Sequence, residues 1–85
     1  MGFIVYILQS IRDGSLYVGH TNDLERRLGQ HNNPEGKSYT AKRGPWILVH
    51  KESHLDRSAA AKRERFLKSV QGSREKKRLA GLLPE

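Results

Sequence analysis

The chain has 85 residues, 35% apolar and 29% charged, with 16 lysines and arginines against nine acids and a formal net charge of +7. That length leaves room for one unit with a thin core, and the lack of cysteine excludes disulfides and thiolate metal sites. The apolar run Phe3 to Leu8 is too short for a membrane span or a signal segment and is closed by Arg12 and Asp13, so the expected compartment is the cytoplasm.

Phe3 to Leu8, rich in β-branched and aromatic residues, reads as a central strand covered on both faces. Asp13-Gly14 is a hairpin signal leading into a second strand, Ser15 to Gly19. A two-residue loop there predicts pairing in which position numbers sum to 27. Even residues of the first strand then oppose odd residues of the second, and Tyr6 and Tyr17 project from one face. Thr21, Asn22 and Asp23 are helix caps, Glu25 complements the positive end of the dipole, and Leu24 and Leu28 can bury one face of the helix that follows. Arg27 and His31, four apart on that helix, reach the same region beside the strand that ends at Gly19.

Asn32 to Pro45 reads as a loop with room for one helical turn, and Trp46 to Val49 as a third strand with Trp46 and Leu48 opposite Ile47 and Val49. Three such strands make a sheet with one covered face. Asp56 or Ser58 caps a second helix from Ala59 to about Val70, with Ala59, Ala60, Phe66, Leu67 and Val70 available to bury and Gln71-Gly72-Ser73 as its stop. Ser73 caps a last helix, Arg74 to Leu82, on which Leu79, Leu82 and Leu83 can pack, with Pro84 past its end. The expected fold is α+β, a small three-stranded antiparallel sheet flanked by helices in the order β-β-α-loop-β-α-α, with residues 1–85 as a single domain.

The charge is uneven. Residues 1–56 hold seven basic and six acidic side chains, whereas residues 57–85 hold nine basic and three acidic, a net of +6. Such a surface suits a polyanion, most often nucleic acid, and equally suits a solvated helical face.

Each candidate site residue has two readings. Glu64, within a basic helix, can pair with Lys68 four residues on, or can bind a hard divalent cation such as Mg²⁺, which needs few protein carboxylates. Arg27 is either a surface residue or a bidentate phosphate ligand. His31 either closes a helix or moves a proton, and Tyr6 and Tyr17 are either strand aromatics or phenols that position water.

Taken together in order, Ile4-Val5-Tyr6, Tyr17-Val18-Gly19, Arg27, His31 and Glu64 resemble the GIY-YIG nucleases over nearly the whole chain. Ile4 stands in place of the first glycine and Val18 in place of isoleucine, while the spacing of eleven between the tyrosines is kept. The resemblance implies cleavage of DNA phosphodiesters with one divalent metal. Tyr6 and Tyr17 would orient or deprotonate the attacking water, Arg27 would stabilise the pentacovalent phosphate, His31 would assist proton transfer and Glu64 would bind Mg²⁺ or Mn²⁺. Tyr39 falls near a further His or Tyr of some members, and Gln71-Gly72-Ser73 stands where others have Asn. Short chains of this kind are similar to small bacterial proteins related to the nuclease domain of excision-repair endonucleases and to structure-specific nucleases.

The function expected is therefore a metal-dependent endonuclease acting on DNA, structure-specific and linked to repair or recombination. With no further recognition domain in the 85 residues, it would read backbone and shape rather than sequence, with a protein partner or a homodimer to set its target. The alternative is a non-catalytic nucleic-acid-binding module using the basic last third, for which Glu64 is unnecessary. A third reading, a protein-interaction domain, requires an exposed apolar patch at Trp46 or at Leu79, Leu82 and Leu83.

Overall fold

The computed structural model describes residues 2–33, 35–36 and 40–83. The first strand, β1 (Phe3–Ser10), lies in the middle of a three-stranded antiparallel sheet, flanked by β2 (Leu16–Thr21) and β3 (Trp46–His54). Its residues Val5, Tyr6, Ile7 and Leu8 have no exposed surface, which requires cover on both faces. Val5 and Ile7 pack with Val18 and with Ala60 and Leu67 of α2 (Arg57–Lys68), backed by Leu79 of α3 (Ser73–Leu79). Tyr6 and Leu8 pack with Trp46, Tyr17 and the Leu24 and Leu28 side chains of α1 (Leu24–His31). The cover on both faces expected for the continuous apolar strand is found, so the sheet is a middle layer rather than one with a single covered face, because successive residues of that strand point to opposite sides. Trp46 is buried in the core and Leu79 packs against it partly buried, whereas Leu82, expected to pack, is 48% exposed because α3 ends before it.

The hairpin register differs from expectation. Ile4 opposes Thr21 and Leu8 opposes Tyr17, so position numbers sum to 25 and the loop spans residues 11–14. The cause is Ser10, whose buried hydroxyl accepts the amides of Arg12 at 3.1 Å and Asp13 at 3.3 Å and holds a wider turn. Gly14, at φ +77°, closes it in the left-handed region. A shift of two preserves strand parity, so Tyr6 and Tyr17 still share a face.

Asp23 and Asp56 cap α1 and α2 by accepting from the amides of Arg26 at 3.1 Å and Ala59 at 2.8 Å. Helix α2 ends at Lys68, earlier than expected, leaving Phe66 42% and Val70 94% exposed. The chain reverses at residues 69–72, where Gly72 lies against the Phe66 carbonyl more closely than any Cβ permits. Gly72 rather than Ser73 occupies the cap position of α3, and that helix ends at Leu79. The loop after α1 contains one 3₁₀ turn, Thr40–Lys42. Tyr39 and Pro84 lie outside the described residues. Among the described residues, no helix is long and apolar enough to cross a membrane.

Strand β3 runs five residues past Val49, and its extension anchors α2. Glu52 accepts from Arg63 Nε at 2.6 Å, His50 Nε2 at 2.9 Å and His54 Nε2 at 3.1 Å. Partial burial raises the Glu52 carboxyl, but these donors outweigh it and bring it from 4.5 down to about 2. Its stabilisation is therefore complete above about pH 4.5 and lost as pH falls towards about 2. Glu52→Gln is expected to cost about 1–3 kcal/mol at neutral pH and to flatten stability across that acid window, as measured by urea melts at stepped pH. A variant with the acid profile of the wild type would remove Glu52 from this role.

Candidate active site

Pairing of Tyr6 with Gly19 across the β1–β2 ladder gives the site its base. A Cβ on Gly19 would lie 2.5 Å from Tyr6 Oη and 3.2 Å from the Tyr17 ring, so only glycine admits the Tyr6 phenol over the strand. The ring cannot swing aside, because it is fully buried and its Oη is 2.8 Å from His31 Nε2. Gly19→Ala is expected to cost about 1–3 kcal/mol through overpacking. It should also change the His31 ring-nitrogen spectrum by breaking the bond to Tyr6. An unchanged melt and spectrum would show that the ring yields freely.

The last turn of α1 carries His31 into the same buried space. Its Nδ1 is 2.7 Å from Thr40 Oγ1, and its ring centroid is 5.8 Å from that of Tyr6 and 4.9 Å from that of Tyr17. Asn32, next in the chain, fixes this end of the helix by accepting the Trp46 amide at 2.7 Å and donating to the Trp46 carbonyl at 3.2 Å. Burial, and then the charge of Arg27, hold His31 below its ordinary pKa, so the imidazole is neutral at physiological pH. Burial likewise raises the Tyr6 phenol, against a lowering influence of Arg27. In the tautomer that donates from Nδ1 to Thr40, Nε2 is free to accept the Tyr6 hydroxyl proton. Tyr17 stands half-buried in front of Tyr6, with ring centroids 6.5 Å apart.

Arg27, half-buried on α1, donates to Gln30 Oε1 at 3.0 Å, and hydrogen bonding to Tyr6, followed by the charge interaction with both phenols, holds its guanidinium above its ordinary pKa. It also lines a polar cleft of about 210 Å³ with Phe3, His20, Thr21, Asn22 and Arg57. Two guanidinium groups on one cleft suit an anion.

Glu64 reaches the site from the other face of the sheet. Its Oε1 accepts from His20 Nδ1 at 2.7 Å and its Oε2 from Lys68 Nζ at 3.0 Å. Burial raises its carboxyl, yet these two donors outweigh burial and hold it below the ordinary value, so it is ionised at neutral pH. The Lys68 ammonium also stands 5.5 Å from the Tyr17 ring centroid, joining the two faces around the free edge of β2. Among the described residues no three His, Cys, Asp or Glu side chains form a metal cage. One ionised carboxylate suits a hard cation that keeps its waters and takes phosphate oxygens.

The structure therefore brings Tyr6, Tyr17, Arg27 and His31 together directly, while Glu64 joins them through Lys68. Two participants were missed in the sequence. His20 opposes Val5 and so faces α2, a direction readable from strand parity, since it lies three residues beyond Tyr17. Thr40 had no such signal, because a loop has no periodicity to place it.

Known proteins match this chain in sequence and fold. The model of the GIY-YIG catalytic domain matches residues 2–78. A UPF0213 protein of Haloquadratum walsbyi is 51% identical over 73 residues, covering 86% of this chain and 79% of that one. A UPF0213 protein of Staphylococcus saprophyticus is 44% identical over 73 residues, covering 86% and 85%. The solution NMR structure of a UPF0213 protein from Bacillus halodurans is 37% identical and superposes with a TM-score of 0.55, covering 96% of this chain and 85% of that one. With its β2-β1-β3 sheet, its paired tyrosines and a family match across residues 2–78, the chain belongs to the GIY-YIG family of nuclease domains.

Proposed function

We propose that residues 1–85 act as a single metal-dependent endonuclease domain that hydrolyses DNA phosphodiester bonds. The observation that carries this reading is the Thr40–His31–Tyr6 hydrogen-bonded chain lying beside Tyr17 and Arg27, with an ionised Glu64 at the same strand edge. Arg27 holds the scissile phosphate and stabilises the charge that builds on it. Tyr17, the more exposed phenol, orients the attacking water, and its proton passes towards neutral His31 with Tyr6 as the buried link. Glu64 is the protein ligand for Mg²⁺ or Mn²⁺. The bound ion supplies Lewis-acid polarisation of the phosphate.

Lys62, Arg65, Arg74 and Lys77 are exposed on α2 and α3 with no ion pair among the described residues, and they would neutralise backbone phosphates without reading sequence. The reading extends to branched or flapped DNA, to repair or recombination, and to a cytoplasmic setting, with target choice assisted by a protein partner or a second copy. Incubation with labelled duplex, single-stranded, flap and four-way-junction DNA and Mg²⁺ or Mn²⁺ tests it. Metal-dependent cutting supports the proposal and ranks the substrates. Salt-sensitive binding without cutting supports the non-catalytic module, a reading favoured by one observation: both Glu64 oxygens already have partners.

A further inference from the structure

The two partners of Glu64 differ in kind. His20 sits on a strand whose backbone is paired to β1, its side chain is 27% exposed, and its bond to Glu64 spans 44 positions of sequence. Lys68 is the last residue of α2, its side chain is 49% exposed, and its contact is an i,i+4 pair. Such pairs are among the weakest ionic contacts in proteins, and a flexible four-carbon stem lets the ammonium leave at little cost.

We propose that Lys68 is a displaceable counter-ion that caps Glu64, while His20 is the fixed positioning residue that aims it. The inference rests on Glu64 as the metal ligand. An incoming divalent ion needs Oε2, which Lys68 covers, and it is repelled by the ammonium while that group stays. While it caps Glu64, the ammonium already stands 5.5 Å from the Tyr17 ring centroid, so that once displaced from Oε2 it stays beside the site and can pair with phosphate held by Arg27. His20, by donating from Nδ1 to Oε1, keeps one carboxylate oxygen fixed, as partners of metal ligands do.

The two residues should therefore affect metal affinity in opposite directions. Mn²⁺ is titrated into the DNA-free protein, and paramagnetic broadening of the amide signals around Glu64 is followed by NMR. Lys68→Ala is expected to tighten Mn²⁺ binding roughly five- to twentyfold, by removing a competing charge. His20→Ala is expected to weaken it roughly ten- to a hundredfold, with partial recovery in His20→Gln, whose amide can still donate. In cleavage, Lys68→Ala should raise KM for DNA more than it lowers kcat, a split that a structural ion pair would not produce. Thermal melts guard against misfolding, and the exposed Lys68 site is a safe one to alter. Glu64-dependent broadening with equal affinity in wild type and Lys68→Ala would overturn the cap. Broadening that persists in Glu64→Gln would instead overturn the metal role of Glu64, and the cap with it.

Discussion

Arg27→Ala is expected to lower kcat for DNA cleavage roughly a thousandfold while leaving the fold intact. Arg27 bonds to Gln30 on its own helix and acts on the Tyr6 hydroxyl, which keeps His31 as a hydrogen-bond partner when Arg27 is removed. What is lost is charge at the cleft shared with His20, Thr21 and Asn22, where a phosphate oxygen gains most as the transition state forms. Arg27→Lys should recover only part of the rate, because an ammonium lacks the planar fork that grips two oxygens. The pH dependence gives a second reading of the same residue. Burial, then the Arg27 charge, holds His31 below its ordinary pKa. Without that charge the imidazole protonates more readily, so the acid limb of the pH–rate profile should move to higher pH in Arg27→Ala and stay in place in Arg27→Lys. An Arg27→Ala enzyme with near wild-type kcat would remove Arg27 from the chemistry.

Glu64→Gln is expected to abolish cleavage, a loss of roughly a thousandfold or more, with DNA affinity unchanged or modestly tighter. The substitution keeps the shape of the side chain and an oxygen for His20 or Lys68 to donate to, which protects the packing of α2 on the sheet. It removes the negative charge that a hard cation needs and that repels phosphate when no cation is bound. Gel shifts in the absence of metal, followed by cutting assays with Mg²⁺ and Mn²⁺, separate the two effects. Weakened binding with cleavage retained would reverse the assignment and make Glu64 a structural residue.

The α+β order, the shared face of Tyr6 and Tyr17, and a short list of caps from which the structure selects Asp23 and Asp56 were legible in the residues themselves. Each depends on strand parity, helical spacing or a side chain bonding within three residues of its own position, as Asp23 does to Arg26 and Asp56 to Ala59. Parity also explains why the wrong hairpin register did not misplace the tyrosines, since Ser10 widened the loop by an even shift. The reach of β3 to His54 was not legible, because His50, Glu52 and His54 look like a polar loop until Arg63 of α2 meets them. The exposure of Phe66 was hidden for a similar reason: the chain turns at Gly72 before that face of α2 can be covered.

Composition, periodicity and motif order were enough for the class of fold, the family and the identity of the five candidate residues. Those features are local, or survive as spacing along the chain. The partners that set the chemistry of those residues depended on folding. Thr40 fixes His31, and His20 meets Glu64 across 44 positions, only because α1 and α2 cover opposite faces of one sheet and converge at the edge of β2. A hydrogen bond of that span has no signature in spacing, since it depends on where two layers are brought together by the burial of Val5, Ile7 and Leu67 on one side and Tyr6 and Leu8 on the other.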